Sequence, residues 1–219
     1  GFVSYAHSVD ALQFGTDATE RMRIDSSGRV GIDCTSPVKA LQVGAHGTSS
    51  EGTIALGSST SGTCSILMGD GGSGTDVYRG YVQYNHSADA MLLATSATER
   101  MRITSAGVVT VKNGAVAEID ALTDAATITP DLAASCNFSV TLGGNRTLAN
   151  PSNITAGQSG SIFVTQDGTG SRTLAFGSYW DFAGGTAPTL TTTASAVDRI
   201  DYIVRSSTSI HAVATLAYS

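Results

Sequence analysis

Residues 1–28, GFVSYAHSVDALQFGTDATERMRIDSSG, recur without a gap as residues 80–107, GYVQYNHSADAMLLATSATERMRITSAG. The two copies share 17 of 28 residues at an offset of 79 positions, and the run from Thr19 to Ile24 returns unchanged as Thr98 to Ile103. Similarity at a fixed offset is the signature of a repeated structural unit. The chain is therefore predicted to contain two copies of one module.

Each copy is predicted to fold as β-hairpins. In the first copy Met22 and Ile24 alternate with polar residues, and Val30 and Ile32 follow a turn that ends at Gly28. Apolar residues at every second position on both sides of a glycine turn are typical of a hairpin. No run of eleven residues shows a helical period with caps, so the predicted fold class is all-β.

Strands are also expected just before the second copy, at Gly52–Gly57 and Ser65–Asp70, where apolar stretches are separated by serine and glycine. The first copy has no such lead-in. Gly1 is therefore expected to lie inside a module whose natural chain continues towards the N-terminus.

The composition favours many short strands joined by tight turns. The 219 residues include 27 Ser, 28 Thr and 25 Gly, and only 14% are charged, against a usual share of about a quarter. A hydrophobic content of 41% is too high for a disordered tail. No apolar run approaches the length of about 18 residues that would predict membrane insertion.

The charges argue against a nucleic-acid partner. Ten arginines and two lysines are scattered among eighteen acidic residues, and the net charge is −6, so no basic stripe is available to contact a phosphate backbone. Cys34, Cys64 and Cys136 are far apart and lack a spacing such as C-x-x-C, which predicts neither a disulfide framework nor a zinc site. They are interpreted as buried or incidental thiols.

After about Leu122 the repeat gives way to a different β-rich region. Alternating apolar stretches between glycine turns predict strands at Phe138–Leu142, Ser161–Gln166, Arg172–Phe176, Arg199–Arg205 and Ser209–Leu216. Short strands at this spacing favour a β-sandwich or jelly-roll-like domain. The predicted organisation is a partial module over residues 1–46, a second module over 47–114, a linker over 115–121 and a C-terminal domain over 122–219.

The segments Glu20–Asp33 and Thr35–Pro37, ERMRIDSSGRVGID and TSP, resemble repeats of bacteriophage tail-fibre and tailspike proteins. Those repeats have a form close to E-R-M-R-I-d-s-s-G-n-V-G-I-G-t-t-S-P, and the second copy here departs from it after Gly107. The stretch Leu142–Leu190 also looks like terminal domains of phage tail-fibre proteins. The chain therefore resembles a phage receptor-binding tail fibre.

The resemblance implies a homotrimer in which short-strand β modules form a fibre stem and the C-terminal domain meets the host. It also implies other virion tail proteins as partners, a location in the virion tail fibre, and assembly in the host cytoplasm. Physical reasoning supports the trimer separately, because thin modules with such short strands cannot bury both faces of a sheet alone. Sister chains that close around a shared axis would supply the missing core.

The motif E-R-M-R occurs in both copies, as Glu20, Arg21 and Arg23 and as Glu99, Arg100 and Arg102. Regular alternation would place both arginines of a copy on one face of the strand and the methionine on the other. Arginine suits bidentate pairing with carboxylates, so these residues are predicted to form structural ion pairs, including pairs between chains of the trimer. Binding of an anionic sugar is the second interpretation.

His7 and His86 recur in the pattern Y-x-H-S-x-D-A. Three copies of one histidine around an axis could bind a metal. The preferred interpretation is structural, with each histidine hydrogen-bonded to serine or aspartate of its own module. No metal site and no cofactor are predicted.

The stretch Gly177–Gly185, GSYWDFAGG, is the candidate binding site. It concentrates Tyr179, Trp180 and Phe182 around Asp181 in a chain with only 6% aromatic residues. Aromatic faces beside a carboxylate suit sugar recognition, because sugar C–H groups stack on rings while hydroxyls bind the carboxylate. The alternative is that Trp180, the only tryptophan, anchors the core of the C-terminal domain.

A catalytic site is not predicted. Asp167, Asp181, Asp198 and Asp201 could supply paired carboxylates for glycoside hydrolysis, but no G-x-S-x-G, H-E-x-x-H or phosphate-binding motif accompanies them. The predicted function is attachment to the host cell surface by multivalent binding of a glycan, or of an outer-membrane receptor. A purely structural stem or collar protein and, less favoured, a polysaccharide-degrading tailspike are the alternatives.

Overall fold

The computed structural model describes residues 1–44 and 53–218, which divide into two compact units, Gly1–Asn113 and Gly114–Ser219. Over the described ranges the chain forms nineteen strands and two short 3-10 helices, so the predicted all-β class is confirmed. Within these same ranges no helix is long and apolar enough to cross a bilayer. The boundary predicted between residues 46 and 47 lies outside the described residues.

The first unit contains two five-stranded sheets. The first sheet consists of β1 (Phe2–Ala6), β2 (Ala11–Thr16), β3 (Thr19–Ile24), β4 (Val30–Ile32) and β5 (Leu41–Val43). The second consists of β6 (Thr63–Met68), β7 (Gly80–Asn85), β8 (Ala90–Thr95), β9 (Thr98–Ile103) and β10 (Val109–Val111), with a 3-10 helix at Gly74–Tyr78. Strands that are consecutive in sequence are neighbours and pair antiparallel, except that β5 runs parallel to β4.

The repeated sequence adopts the same backbone in both copies. Strands β1 to β4 correspond to β7 to β10, and φ is 55° at Ala18 and 56° at Ala97, in the tight turns after β2 and β8. In each turn the residue before the alanine also has positive φ, as a two-residue type I′ hairpin requires. The hairpins predicted around Gly28 and Gly107 are confirmed by the antiparallel pairs β3–β4 and β9–β10.

A β-bulge in each copy breaks the alternation expected around the E-R-M-R motif. Met22 lies opposite Phe14 but Glu20 lies opposite Gly15, so β3 carries one extra residue there. The same shift separates Leu93 from Ala94 in the second sheet. The bulge lets Glu20 and Arg23 meet on one side, although residues three apart in a regular strand point to opposite faces.

One face of each repeated sheet is apolar across all its strands, and we call it the apolar face. Register partners share a face, because side chains alternate along a strand. In the second sheet the rows across this face are Ile66, Val82, Leu93, Met101, Val111 and Cys64, Tyr84, Met91, Ile103, Val109. In the first sheet they are Val3, Phe14, Met22, Ile32, Val43 and Tyr5, Leu12, Ile24, Val30, Leu41.

The described chain leaves much of the apolar faces exposed. Val3 is 68% exposed, Ile66 57% and Val109 55%, whereas Ala90 and Leu92, which point to the other side of β8, are nearly buried. Solvent contact of this many aliphatic side chains is unfavourable by about 25 cal/mol for each Å² of apolar surface. The modules therefore have an incomplete core as single chains.

The second unit contains two sheets. Its strands are β11 (Ile119–Ala121), β12 (Thr127–Ile128), β13 (Asn137–Leu142), β14 (Arg146–Leu148), β15 (Ser159–Gln166), β16 (Leu174–Phe176), β17 (Trp180–Phe182), β18 (Val197–Ser206) and β19 (Ser209–Tyr218), with a 3-10 helix at Ala183–Gly185. The order is β11-β13-β15-β18-β19-β17 in the six-stranded sheet and β12-β14-β16 in the three-stranded sheet.

The chain of the second unit winds as a coil. From β11 to β16 each strand lies in the sheet opposite to the previous one, so that β11, β13 and β15 are parallel, as are β12, β14 and β16. Strand β18 then continues the large sheet antiparallel to β15, and β19 pairs antiparallel with β18. This connection differs from that of a jelly roll, which is built from antiparallel strands.

A second, weaker sequence repeat underlies two of these turns. Val140-Thr141 and Val164-Thr165 are register partners in β13 and β15. Each pair is followed by R-T-L-A, beginning at Arg146 and at Arg172. In the register of β14 and β16, Arg146 lies opposite Leu174, so the two R-T-L-A segments are offset by two residues. An even offset leaves both leucines, Leu148 and Leu174, facing inward.

The core of the second unit lies between its two sheets. Phe138, Ile162 and Ile200 of the large sheet and Leu148 of the small sheet are completely buried. Burial of a side chain of this size stabilises the fold by about 1.5–3 kcal/mol. Unlike the repeated modules, this unit therefore has a sealed core of its own.

All five strands predicted after Leu122 are present, with ends that move by a few residues. Residues 119–121, predicted as the end of a linker, instead form β11 and pair with β13. Residues 53–57, predicted within a strand, form none, because they find no partner strand and both Ile54 and Leu56 stay exposed. Gly52 of that predicted strand lies outside the described residues.

Candidate functional site

Trp180 is a core residue. Its side chain is 6% exposed, its indole N–H donates to the carbonyl oxygen of Ala149 at 3.0 Å, and its ring makes edge contacts with Phe176 and Tyr202. A ring that is 6% exposed has no free face for stacking with a sugar. Of the two interpretations given for Trp180, the geometry fits the core anchor.

The other residues of the predicted aromatic site are divided between core and surface. Tyr179 and Phe182 are half-buried against the core, and the Phe182 ring lies 4.7 Å from that of Phe176. Asp181 is exposed on β17 and accepts a 2.7 Å hydrogen bond from the Ser209 hydroxyl. The structure thus does not bring the four residues together as one open platform.

Asp181 instead belongs to a row of side chains across the outer face of the large sheet. Register places Asp181 beside His211, and His211 beside Ile203. These three residues come from β17, β19 and β18, which lie next to one another although β17 is distant in sequence from β18. The strand order therefore creates a neighbourhood that the linear sequence does not display.

A shallow groove of about 360 Å³ lies on this face. It is lined by Asp201, Tyr202, Ile203, His211, Ala212 and Val213. Ile203 is 51% exposed and Val213 58%, so the groove has an aliphatic floor, with an imidazole and a carboxylate at its border. We call it the β18–β19 groove.

Three of the four arginines of the second unit are paired with aspartates. Arg146 binds Asp124 at 2.7 Å, Arg172 binds Asp167 at 2.7 Å and Arg199 binds Asp201 at 2.9 Å. The hydrogen bond from Arg172 lowers the pKa of Asp167 to about 2, and that from Arg146 lowers the pKa of Asp124. These arginines act within the domain and offer little positive charge to a ligand.

The remaining carboxylate considered for hydrolysis, Asp198, is buried. Its two oxygens accept hydrogen bonds from the Thr191 N–H at 2.7 Å, the Thr191 hydroxyl at 2.8 Å and the Ala217 N–H at 2.9 Å. A general acid for glycoside cleavage needs a raised pKa, whereas Asp167 has a lowered one. Each of the four candidate aspartates thus has a hydrogen-bond or ion-pair partner within the domain.

The E-R-M-R motifs form ion pairs within the chain. Arg23 binds Glu20 at 2.6 Å and also donates to the Thr35 carbonyl oxygen at 2.7 Å. The loop after β4, with Pro37 fully buried, covers this pair and leaves it only 11% and 17% exposed. The T-S-P segment of the motif therefore has a structural role, because it covers the salt bridge of its own module.

The second copy replaces that cover with a second cation. Glu99 binds Arg102 through Nε at 2.7 Å and Lys112 at 3.1 Å, and these bonds lower the pKa of Glu99 to about 2. Arg21 and Arg100, by contrast, donate to the hydroxyls of Thr16 and Thr95 at 3.1 and 3.0 Å. Pairing of these residues between chains stays a prediction.

The recurring histidines make edge-on ring contacts with tyrosine. His7 lies edge-on to Tyr5 at 4.7 Å and His86 edge-on to Tyr84 at 4.9 Å, and each tyrosine hydroxyl donates to Asp10 or Asp89. The tyrosine, rather than the histidine, thus makes the hydrogen bond that was expected within each module. Among the described residues no group of three or more His, Cys, Asp or Glu side chains could hold a metal.

Sequence reasoning missed His211, Ile203 and Val213 as candidate site residues. The period of two along β18 and β19 places these three residues at outward positions, as the alternating burial of both strands shows. What the sequence could not supply was the place of β17, which lies beyond β19 and brings Asp181 to them.

The comparisons with known proteins bear on the second unit. The model of a family described as "Putative phage tail fibre C-terminal domain" matches residues 128–205, from the second residue of β12 to the penultimate residue of β18. The matched range contains the whole of the stretch Leu142–Leu190 from which the terminal-domain resemblance was inferred, and it confirms that resemblance. No curated protein matches the chain.

Proposed function

We propose that this protein, a phage tail-fibre protein by the family of its terminal domain, attaches the virion to the host as a homotrimer that binds surface glycans at several weak sites. Its tail-fibre role rests on the family match over residues 128–205. The observation that carries the proposal is the exposed apolar face, which recurs in both modules at the same sequence offset.

The apolar faces support association of identical chains. A surface of ten mostly apolar residues on each sheet is larger than the scattered exposed side chains of an ordinary monomer. Copies of the same sheet around a three-fold axis can bury these faces against one another, since identical faces are complementary in polarity. Glu20 and Glu99 already have ion-pair partners within their own chain, so association through the apolar faces would not leave these two carboxylates unpaired.

Attachment through several weak sites follows from the trimer. Three chains that share an axis carry three copies of every surface site, and a glycan-coated cell offers many ligands at once. Binding of the second and third copy is then an intramolecular event, which raises the overall affinity by about 10²–10⁴ without a new contact. A shallow binding site is adequate under these conditions, and a deep pocket is not needed.

The test is attachment of the purified chain to bacteria. Labelled protein is incubated with a panel of strains before and after periodate oxidation of their surface sugars, and separately after protease treatment. We expect attachment that periodate abolishes and protease leaves intact. Loss of attachment after protease treatment alone would mean that the receptor is an outer-membrane protein rather than a glycan. Absence of attachment to any strain would contradict the proposal.

A purely structural stem or collar is the second candidate function. The burial of Trp180 favours it, because the most aromatic stretch of the chain then contributes to stability rather than to an open binding surface. A stem would form the same trimer but attach to no strain. The attachment assay separates the two functions.

A further inference from the structure

We propose that the β18–β19 groove is a saccharide subsite that accepts a neutral or amino-substituted hexose and disfavours a uronic acid. The proposal rests on the proposed attachment function and names the site and the class of sugar. It replaces the aromatic stretch by a neighbouring surface, which is lined by other residues and borders that stretch where Asp181 lies beside His211.

The groove has the surface chemistry that a pyranose ring requires. One side of such a ring presents C–H groups, and Ile203 and Val213 offer an exposed aliphatic floor for them. Hydroxyl groups at the ring edge need hydrogen-bond partners, which His211 and Asp181 can supply from adjacent strands. A few polar groups around an apolar base are the usual composition of a small-ligand site.

The site is built on rigid elements. Both strands that line it are ten residues long, and their inward side chains in and beside this stretch, Tyr202, Val204 and Ile210, are buried in the core. Asp201 is fixed by the Ser161 hydroxyl at 2.6 Å and by Arg199 at 2.9 Å. Side chains held in this way are positioned before a ligand arrives, which reduces the entropy lost on binding.

The charges around the groove set the preference among sugars. Asp201 is neutralised by Arg199, whereas Asp181 has only the Ser209 hydroxyl as a partner and no ion pair among the described residues. Arg205 is exposed two residues beyond Ile203 but does not line the groove. The side of the groove where Asp181 neighbours the lining residue His211 is therefore negative, which attracts an ammonium group and repels a carboxylate.

The experiment measures saturation-transfer NMR between the full chain and three sugars that differ in charge: glucose, glucosamine and glucuronic acid. We expect signals for glucose and glucosamine and a several-fold weaker signal for glucuronic acid. Val213→Ser should reduce the signals several-fold. Ile119→Ser is the matched control, because it removes an equally exposed aliphatic side chain from the edge strand β11, outside the groove.

Two further variants test the charge argument. Asp181→Asn should remove the preference for glucosamine over glucose, a change of about fivefold if one charged hydrogen bond becomes neutral. Arg205→Gln should leave the order of the three sugars unchanged. A glucuronic acid signal that equals the others and disappears in Arg205→Gln would overturn the charge assignment.

The groove and the attachment function can fail separately. Attachment to bacteria that is periodate-sensitive but unchanged by Val213→Ser would keep the function and overturn the groove. Saturation transfer that depends on Val213, without attachment to any strain, would keep the groove and overturn the function. Absence of signal for all three sugars would overturn the proposed subsite. That result would be obtained if a sister chain covered the groove.

Discussion

Arg146 holds Asp124 with two hydrogen bonds of 2.7 Å, one from Nε and one from Nη2, across 22 residues of sequence. Asp124 precedes β12 and Arg146 begins β14, so the contact joins the chain of one coil to the strand of the next. The adjacent coil has its own fork, in which Nε and Nη2 of Arg172 bind one oxygen of Asp167. These contacts stabilise the ends of strands that the core does not reach.

The first prediction is a loss of stability in acid. The folded-state pKa of Asp167 is lowered to about 2 and that of Asp124 is lowered too, whereas an unfolded aspartate titrates near about 3.9. A lowered pKa contributes stability above the unfolded value, and this contribution disappears as the pH falls towards the folded value. Urea unfolding of the full chain at several pH values should show the free energy of unfolding decreasing from about pH 4 to pH 2.

Asp167→Asn should flatten this acid dependence, because the variant has no carboxylate to protonate at that position. Asp181→Asn is the matched control, since Asp181 is exposed and bound only to a hydroxyl. The prediction would be contradicted if the free energy of unfolding fell equally steeply with acid in the wild type and in Asp167→Asn.

The second prediction concerns Trp180. Replacement of Trp180 by alanine removes a buried ring and leaves the Ala149 carbonyl oxygen without its indole donor. Large-to-small substitutions of this kind cost about 3–5 kcal/mol. Chemical denaturation should therefore show a large loss in Trp180→Ala and little change in Asp181→Ala, its exposed neighbour. A Trp180→Ala variant with unchanged stability would mean that the ring does not anchor the core.

The third prediction tests the apolar face. Val109→Asp places a charge in a row of aliphatic side chains that the proposed trimer buries. Thr110→Asp is the control, because the next residue of the same strand points to the opposite face. Sedimentation should give a trimeric mass for the wild type and for Thr110→Asp, and a lower mass for Val109→Asp. Trimers of equal stability in both variants would exclude this face from the interface.

The fourth prediction concerns the tight turn of the second module. Ala97 has a φ of 56°, in the left-handed region that costs an alanine about 1 kcal/mol or more relative to glycine. Ala97→Gly should therefore raise the melting temperature of the first unit, whereas Ala94→Gly, which removes a nearly buried methyl group from β8, should lower it. A lower melting temperature for Ala97→Gly would show that entropy of the unfolded chain outweighs the turn geometry.

The repeated modules were well predicted from sequence because their signals are local. Alternating residues and a glycine turn specify a hairpin such as β3–β4 around Gly28 without knowledge of the rest of the chain. The bulge at Gly15 was not predictable by the same route. It depends on how two strands match in length, which no single strand encodes, and it brings Arg23 to the same side of the strand as Glu20.

The coil of the second unit was missed for a related reason. Strands of similar length and spacing fit an antiparallel sandwich and a parallel coil equally well, and only the order of pairing distinguishes them. The repeated R-T-L-A at Arg146 and Arg172 was the available clue, since two like sequences one coil apart are what a winding chain produces. The same uncertainty in pairing hid the proximity of Asp181 and His211.

The change from parallel to antiparallel pairing at β18 has a consequence for assembly. A stack of coils presents at its end an open parallel edge, onto which another molecule could add its own strands indefinitely. The hairpin of β18 and β19 occupies that edge and turns the chain back. Beyond the hairpin the edge strand of the large sheet is β17, which is only three residues long, so that edge offers little backbone for another molecule to extend.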